Sequence, residues 1–446
     1  MEATRQAVMG QGLPPEVPWV VFDFPLFLVD SDLTPIREKY AEIIDALTKW
    51  QSKNKKTGVF SKTPVEISGS NYEDALAKAN YLFLRKNWGD GLAIFPPTKS
   101  RVDWILTGTD HSRTETVGGG SGKVAPKQGI LTYEVLATCM AMAGGRPEYM
   151  PVAEAVCKAI VEKQNILMTS SGGAYQGICV NGPVAKQIRL NSRFSLFGPN
   201  PNHPAGGAIG RCISLVLMNV GGHVAGQGTI AEYGEMRFTG ICFAENEDSL
   251  PKGWMTFAEE EYKRGRGSNS ATFFITFLGG LRPFVHRGSG DEPSFETEMQ
   301  ESFFRAANVM KNVWTTSHSP SPGMPGIMFY NSMICGNMAR IGWTKDKIRT
   351  RLAELLFATP EEIKERTDIR RAAAAAKVDL SKLPARIPLV TDPQNIHFIC
   401  AGGDHPSLAM WLAGVTLLGN VEIQLPKVWD TLLQKAKQDL GPLPVV

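Results

Sequence analysis

Apolar positions along the chain follow two periods. Three-to-four spacing marks helices: Tyr40, Ile43, Ile44 and Leu47 after Thr34-Pro35, with Thr at the cap and Pro in the first turn; Ala75, Leu76, Ala79 and Leu82 behind a capping box of Ser70 and Glu73; Val102, Ile105 and Leu106; residues 131–142 and 152–161; and Ile213, Leu215, Val216, Leu217 and Val220, ending at Gly221-Gly222. Helices are also expected over 303–314, after Gly342-Trp343-Thr344, over 372–376 and from Leu408 onward. Short apolar runs bounded by Gly, Pro, Asn or Asp mark buried strands at 93–95, 178–180, 241–244, 272–277, 327–330 and 395–400, with further extended stretches at 20–22, 26–28 and 234–239. Helices and strands mix throughout, which predicts an α/β protein with mixed or parallel sheets. An N-terminal arm (1–69), a first α/β domain (70–267) and a second (268–446) are expected, with Ser52-Lys53-Asn54-Lys55-Lys56 as a solvated linker inside the arm.

The stretch from Val180 to His223 is the best sequence candidate for a site. A strand ends at the turn Asn181-Gly182-Pro183, a loop of Asn, Pro and Gly follows, and Gly206-Gly207-Ala208-Ile209-Gly210-Arg211 opens a helix. Glycines at a helix start leave backbone N–H groups free for an anion such as a substrate carboxylate, with Arg211 adding charge; tight helix packing explains the same glycines. Arg146 and Glu148, in the tight turn between two helices, either line a site or pair to hold the corner. Glu245, the first of Glu245-Asn246-Glu247-Asp248 after a buried strand, is a candidate acid or base. The basic turn Lys263-Arg264-Gly265-Arg266-Gly267 is a candidate for meeting an anionic substrate or a partner.

The second site candidate is Ala401-Gly402-Gly403-Asp404-His405-Pro406-Ser407. Here a strand is expected to turn through Gly402 and Gly403 into a helix, whose start would favour neutral imidazole at His405. His405 is read as general base or oxyanion donor, and Asp404 as its companion or as a cap. His286-Arg287-Gly288 is read as a loop. The GGGSGK run at 118–123 lacks the Ser or Thr that follows a phosphate-loop lysine and is read as a flexible loop.

With 43% hydrophobic and 20% charged residues and a formal charge of +3, the 446-residue chain has an ordinary globular composition. It shows no basic stripe interleaved with aromatics, so nucleic-acid binding is not expected, and no signal-like or membrane-length apolar run, so a cytoplasmic location is expected. Seven scattered cysteines with no CxxC read as core residues. Cys335 and Cys400, each beside a glycine turn, are the candidate reactive thiols. No nicotinamide or flavin fingerprint and no metal cluster is read; His203 and His223 are the one pair considered for a shared metal.

Seven stretches resemble long bacterial proteins related to the UGSC family, named for a selenocysteine-Gly-Ser-Cys motif or its cysteine version: WGDGLAIFPPT (88–98), AGGRPEYMPV (143–152), VNGPVAKQI (180–188), AIGRCISLVLMNVGG (208–222), CFAENED (242–248), MARIGWTKDKIRTRL (338–352) and FICAGGDHPS (398–407). The motif itself is absent, Cys335-Gly336-Asn337 being nearest, and Gly145 stands where relatives often carry cysteine. A weaker likeness in style is to the large subunits of glycine-reductase-like systems. The resemblance implies thiol-dependent or reductive making or breaking of a carbon–heteroatom bond, the thiol coming from a small thiol or selenol partner subunit or from a thiol substrate. The resulting expectation is an enzyme closing two α/β halves over a small anionic substrate, held by Arg146, Glu148, Asn181, Gly206, Gly207, Arg211, Gly402 and Gly403. Glu245, Asp404 and His405 would handle protons. Alternatives are a cofactor-free lyase or hydratase, and a non-catalytic scaffold subunit for a small redox partner. A homo-oligomer is expected from base rates.

Overall fold

The computed structural model describes residues 18, 20–21, 32–51, 64–163, 175–225, 229, 231, 240–276, 281–285, 294–316, 326–405 and 408–442. The expected extended stretches at 26–28 and 234–239, the 52–56 linker and the 286–288 loop lie outside these residues, as do Pro406 and Ser407. Eight strands build two four-stranded sheets: β1 (Tyr175–Asn181), β2 (Ile241–Ala244), β3 (Ser270–Thr276), β4 (Leu281–Val285), β5 (Gly326–Tyr330), β6 (Ile396–Cys400), β7 (Leu408–Ala413) and β8 (Val415–Glu422). The first sheet has the order β8-β3-β1-β2 and the second β6-β5-β7-β4. In each, one pair is parallel (β1 with β2, β5 with β6) and the remaining pairings are antiparallel.

Strand parity fixes the layers, because successive side chains point to opposite faces. Ile178 and Val180 of β1, Cys242 and Ala244 of β2, and Phe273 and Ile275 of β3 pack on helices α3 (Tyr133–Met142), α4 (Met150–Glu162) and α5 (Ala205–Asn219). Met328 and Tyr330 of β5, Phe398 and Cys400 of β6, and Trp411 of β7 pack on α7 (Ser294–Thr316), α8 (Ser332–Arg340) and α9 (Lys345–Leu355). The opposite parity (Cys179, Phe243, Phe274, Ile327, Phe329, Ile399, Leu412) forms a core between the sheets. The architecture is helices, sheet, sheet, helices. β1, β2, β3, β5 and β6 are buried on both faces, which explains why they read as continuous apolar runs.

The two sheets repeat one topology and exchange a strand. Each half supplies a parallel pair and an antiparallel third strand to its own sheet, then sends its fourth strand to the other: β4 borders β7, and β8 borders β3. Gly414 alone separates β7 from β8, so this strand bends from one sheet into the other. The boundary expected at 267/268 therefore does not separate the sheets. β3 and β8 belong with β1 and β2, and helix α10 (Trp429–Leu440) buries Trp429 and Leu432 in the first core.

Three local expectations shift. The first helix of the main body, α1 (Tyr72–Lys86), precedes α2 (Lys99–Leu106) and is capped by Asn71, whose side chain accepts from Asp74 N, one residue on from the expected Ser70 and Glu73. In the arm, Leu33 is the cap and Thr34 the first helical residue. Residues 93–95 are not a strand: Ile94 N donates to Asn80 Oδ1 at 2.7 Å and Phe95 N to Met142 O at 3.3 Å. The largest correction is Leu408–Ala413, strand β7 rather than a helix. Its apolar run has no period to tell the two apart, and two neighbouring strands supply its backbone partners.

Candidate functional site

The C-terminal ends of the parallel strands carry matching corners. In the first half, Asn181 Nδ2 donates to Glu245 Oε2 (2.7 Å) and Glu247 Oε1 (2.8 Å), and Gly182 N donates to the same Glu247 oxygen (2.7 Å). In the second, Asn331 Nδ2 donates to His405 O (2.6 Å) and Ser332 Oγ donates to Asp404 Oδ1. Asn181 and Asn331 are the residues that follow Val180 and Tyr330 at the strand ends, and both are buried. An asparagine at each strand end thus ties down the loop that follows the neighbouring parallel strand.

What fills the space beyond these corners differs. The β2–β3 connection runs from 245 to 269 and folds back as α6 (Phe257–Tyr262), placing Phe257 in the core between the sheets. The β6–β7 connection, 401–407, is too short to do so. A cavity of about 490 Å³ remains, lined by Phe329, Asn331, Gly402, Gly403, His405, Leu408 and Met410 of the second half. The loop from Phe194 to Gly198 of the first half covers it. Gly402 N donates to Ser192 O (3.0 Å), and Arg193 forms an ion pair with Asp404. A Cβ on Gly403 would stand 2.4 Å from the Phe194 ring, so a larger residue here would displace that exposed side chain. Phe197 packs edge-on against Phe329 and Phe243, at 5.3 and 5.4 Å between ring centroids. This volume suits a small organic ligand.

Of the expected site residues, Gly402, Gly403 and His405 line the cavity, and Asp404 holds the cover loop and Ser332 beside it. His405 precedes a strand, so the helix-start effect on its imidazole is withdrawn.

The other candidates lie elsewhere. Arg211 makes a two-pronged bond to Asp90 (2.7 and 2.9 Å) and donates to Ala93 O (3.0 Å). Gly206 and Gly210 let α5 approach the first sheet: added Cβ atoms would meet Cys242 O at 2.4 Å and Gly240 O at 2.0 Å, while Gly207 faces open space. Packing accounts for Gly206 and Gly210, and Arg211 is committed to Asp90. Arg146 bonds Glu148 (2.5 Å) and Asp439 of α10 (2.9 Å) beneath Trp104, a corner clamp with no exposed carboxylate at Glu148. In the basic turn, Arg264 donates to Asn420 and Arg266 to Trp254 O and Glu259.

Glu245 is buried at the junction of the sheets. Its carboxylate accepts from Phe257 N (2.7 Å), Asn181 Nδ2 (2.7 Å) and Cys400 N (3.4 Å). Burial raises its pKa, against the pull of Lys345 and of these hydrogen bonds. It is not among the residues that line the cavity.

All seven cysteines are buried. Cys335 and Cys400 lie in the core on the helix side of the second sheet, facing away from the cavity. The hydrogen bond with Cys335, followed by burial, pushes the Cys400 thiol well up. His203 and His223 flank the 15-residue α5, roughly 22 Å of helix apart, too far to share an ion. Among the described residues no cluster of three or more His, Cys, Asp or Glu is arranged for a metal, and no helix is long and apolar enough to cross a membrane.

Sequence reasoning missed the cover loop and the apolar wall of Phe329 and Met410. The one available signal was the pair of asparagines ending β1 and β5. No family model matches the chain, and neither does any curated protein or any solved structure.

Proposed function

We propose that the protein is an enzyme acting on a small molecule in the cavity between its two halves, with His405 as the acid–base group. The observation that carries this reading is the recess of about 490 Å³ at the ends of β5 and β6, with His405 the titratable side chain among its described lining residues. Ligands of α/β proteins sit at the carboxyl ends of strands, and an imidazole there offers a bound substrate a proton donor or acceptor. The chemistry favoured is proton transfer to and from bound substrate, as in a cofactor-free lyase or hydratase. The thiol-dependent carbon–heteroatom chemistry implied by the UGSC resemblance requires a thiol carried in by the substrate or a partner subunit, because the chain's own thiols are buried.

The test incubates a small-molecule extract of the source organism with the protein and with His405→Gln, and follows which components are consumed. Consumption by the wild type alone, with the same component retained by both proteins in native mass spectrometry, supports the reading. Equal consumption by both overturns the role of His405. A co-purifying small thiol or selenol subunit with nothing consumed favours the scaffold alternative.

A further inference from the structure

We propose that the ligand of this cavity is an uncharged, flat, aromatic molecule with one polar substituent directed at His405. This rests on the reading of the cavity as the functional site and replaces the anionic substrate expected from sequence.

Three observations carry it. First, none of the described lining residues is lysine or arginine, and Arg193 beside the mouth is engaged by Asp404. Second, polar groups that would solvate a carboxylate already have partners. Asn331 Oδ1 accepts from Ile334 N (3.0 Å) while its amide donates to His405 O (2.6 Å), Ser195 Oγ donates to Pro199 O (3.1 Å), and Gly402 N donates to Ser192 O (3.0 Å). A carboxylate transferred here would lose water without matching donors, and the larger the apolar share of the wall, the heavier that loss. Third, the wall is aromatic with a set geometry. Phe194, Phe197 and Phe329 line it, and Phe197 and Phe329 meet at 87°, an edge-to-face pair that another flat ring extends by placing its edge on a ring face. An aromatic ring needs on the order of 150 Å³, so about 490 Å³ accommodates a fused pair of rings and a substituent.

The full-length chain is titrated calorimetrically with 2-naphthol, 2-naphthoate and succinate. The expected result is one 2-naphthol per chain, bound at least tenfold more tightly than 2-naphthoate, with no succinate binding. Binding should weaken at least tenfold in Met410→Trp, which fills the cavity, and in Leu408→Trp, at an exposed position on its mouth where folding is not at stake. Tighter binding of 2-naphthoate or succinate, lost in the same variants, overturns the uncharged class and leaves the cavity as the site. Absence of binding by all three probes overturns the flat aromatic class and leaves the reading of the cavity to the His405→Gln consumption test. Binding of 2-naphthol unchanged in both tryptophan variants places it elsewhere and overturns the proposal.

Discussion

Removing the carboxylate of Glu260 tests how the two halves are locked together. Glu260 lies on α6, the segment that fills the first half, and reaches across to α9. Its Oε1 accepts from Arg349 Nη1 (2.6 Å) and its Oε2 from Lys345 Nζ (3.0 Å). Arg349 is fully buried and Lys345 is 6% exposed. Their other partners are Ile396 O and Asp346 for Arg349, and Met255 O for Lys345; Arg349 Nη2 has no partner among the described residues. Asp346 is 79% exposed at its side chain, so water screens its share. Breaking a buried ion pair from one side costs about 3–5 kcal/mol, because the surviving charge stays buried. Glu260→Gln keeps the shape and one acceptor, so the expected loss is about 2–3 kcal/mol, read from urea unfolding followed by tryptophan fluorescence. Its pH dependence has a definite sign. Burial opposes the Glu260 charge, but Arg349 and Lys345 outweigh it and hold the carboxyl below its ordinary range. A depressed native pKa stabilises above the unfolded value, about 4.3, and that contribution disappears as pH falls through the native value. The gap between wild type and variant should therefore be full at pH 7 and close in acid. A gap under about 1 kcal/mol at pH 7, or one that persists unchanged into acid, would refute the reasoning.

Glu245 has the opposite sign. Its pKa is raised by burial, so native stability falls as pH climbs from the unfolded value through the native one. Glu245→Gln should fare better relative to wild type at pH 8 than at pH 5 in thermal melts, and a pH-independent difference would contradict this. The seven cysteines should be silent toward a thiol reagent in the native protein and react together on unfolding, since all are buried and burial pushes even Cys139 up to about 12. A single fast-reacting thiol in the native state would count against the core placement. Cutting the chain between residues 285 and 294 should leave neither fragment folded alone, because each lacks a strand of its sheet; co-expressed, the fragments should yield a one-to-one complex. Independent folding of either fragment, shown by a cooperative melt, would contradict the exchanged topology.

The helices on the first sheet were legible because α3 to α5 repeat their apolar positions at helical spacing, and five strands were legible as bounded apolar runs. β4 and β8 were not expected. β4 contains Pro283 and is only five residues long, and both strands owe their place to partners from the other half. A pattern of apolar positions reports burial and says nothing of which sheet a strand joins. The same limit misled the reading of Gly206–Arg211. A glycine opening a helix looks alike whether it faces a ligand or the carbonyl of Cys242, and the partner of Arg211 is Asp90, 121 residues away in sequence. Gly402, Gly403 and His405 were legible because a strand running into Gly-Gly is a local signal. The loop that covers them comes from the first half and carries no such mark.

The location of the cavity follows from an asymmetry between two otherwise repeated halves. Each half ends its parallel strands in the same way, with asparagine at the first strand and an acid on the loop after the second: Asn181 with Glu247, Asn331 beside Asp404. In the first half the following connection is long enough to return as α6, and the third strand faces inward with Ser270 and Thr272, whose hydroxyls receive the amide of Asn420. That space is filled by Phe257 and α6, and the Asn420 amide is satisfied by the two hydroxyls. In the second half the connection is short, the corresponding wall is Leu408 and Met410, and an alanine, Ala401, stands where the first half has Glu245. No returning helix fills these strand ends, no carboxylate stands at the Ala401 position, and the wall is largely apolar. A space of that character is stabilised by an apolar occupant far more than by solvent. The repeat thus carries one filled corner and one apolar recess, and the histidine stands at the recess.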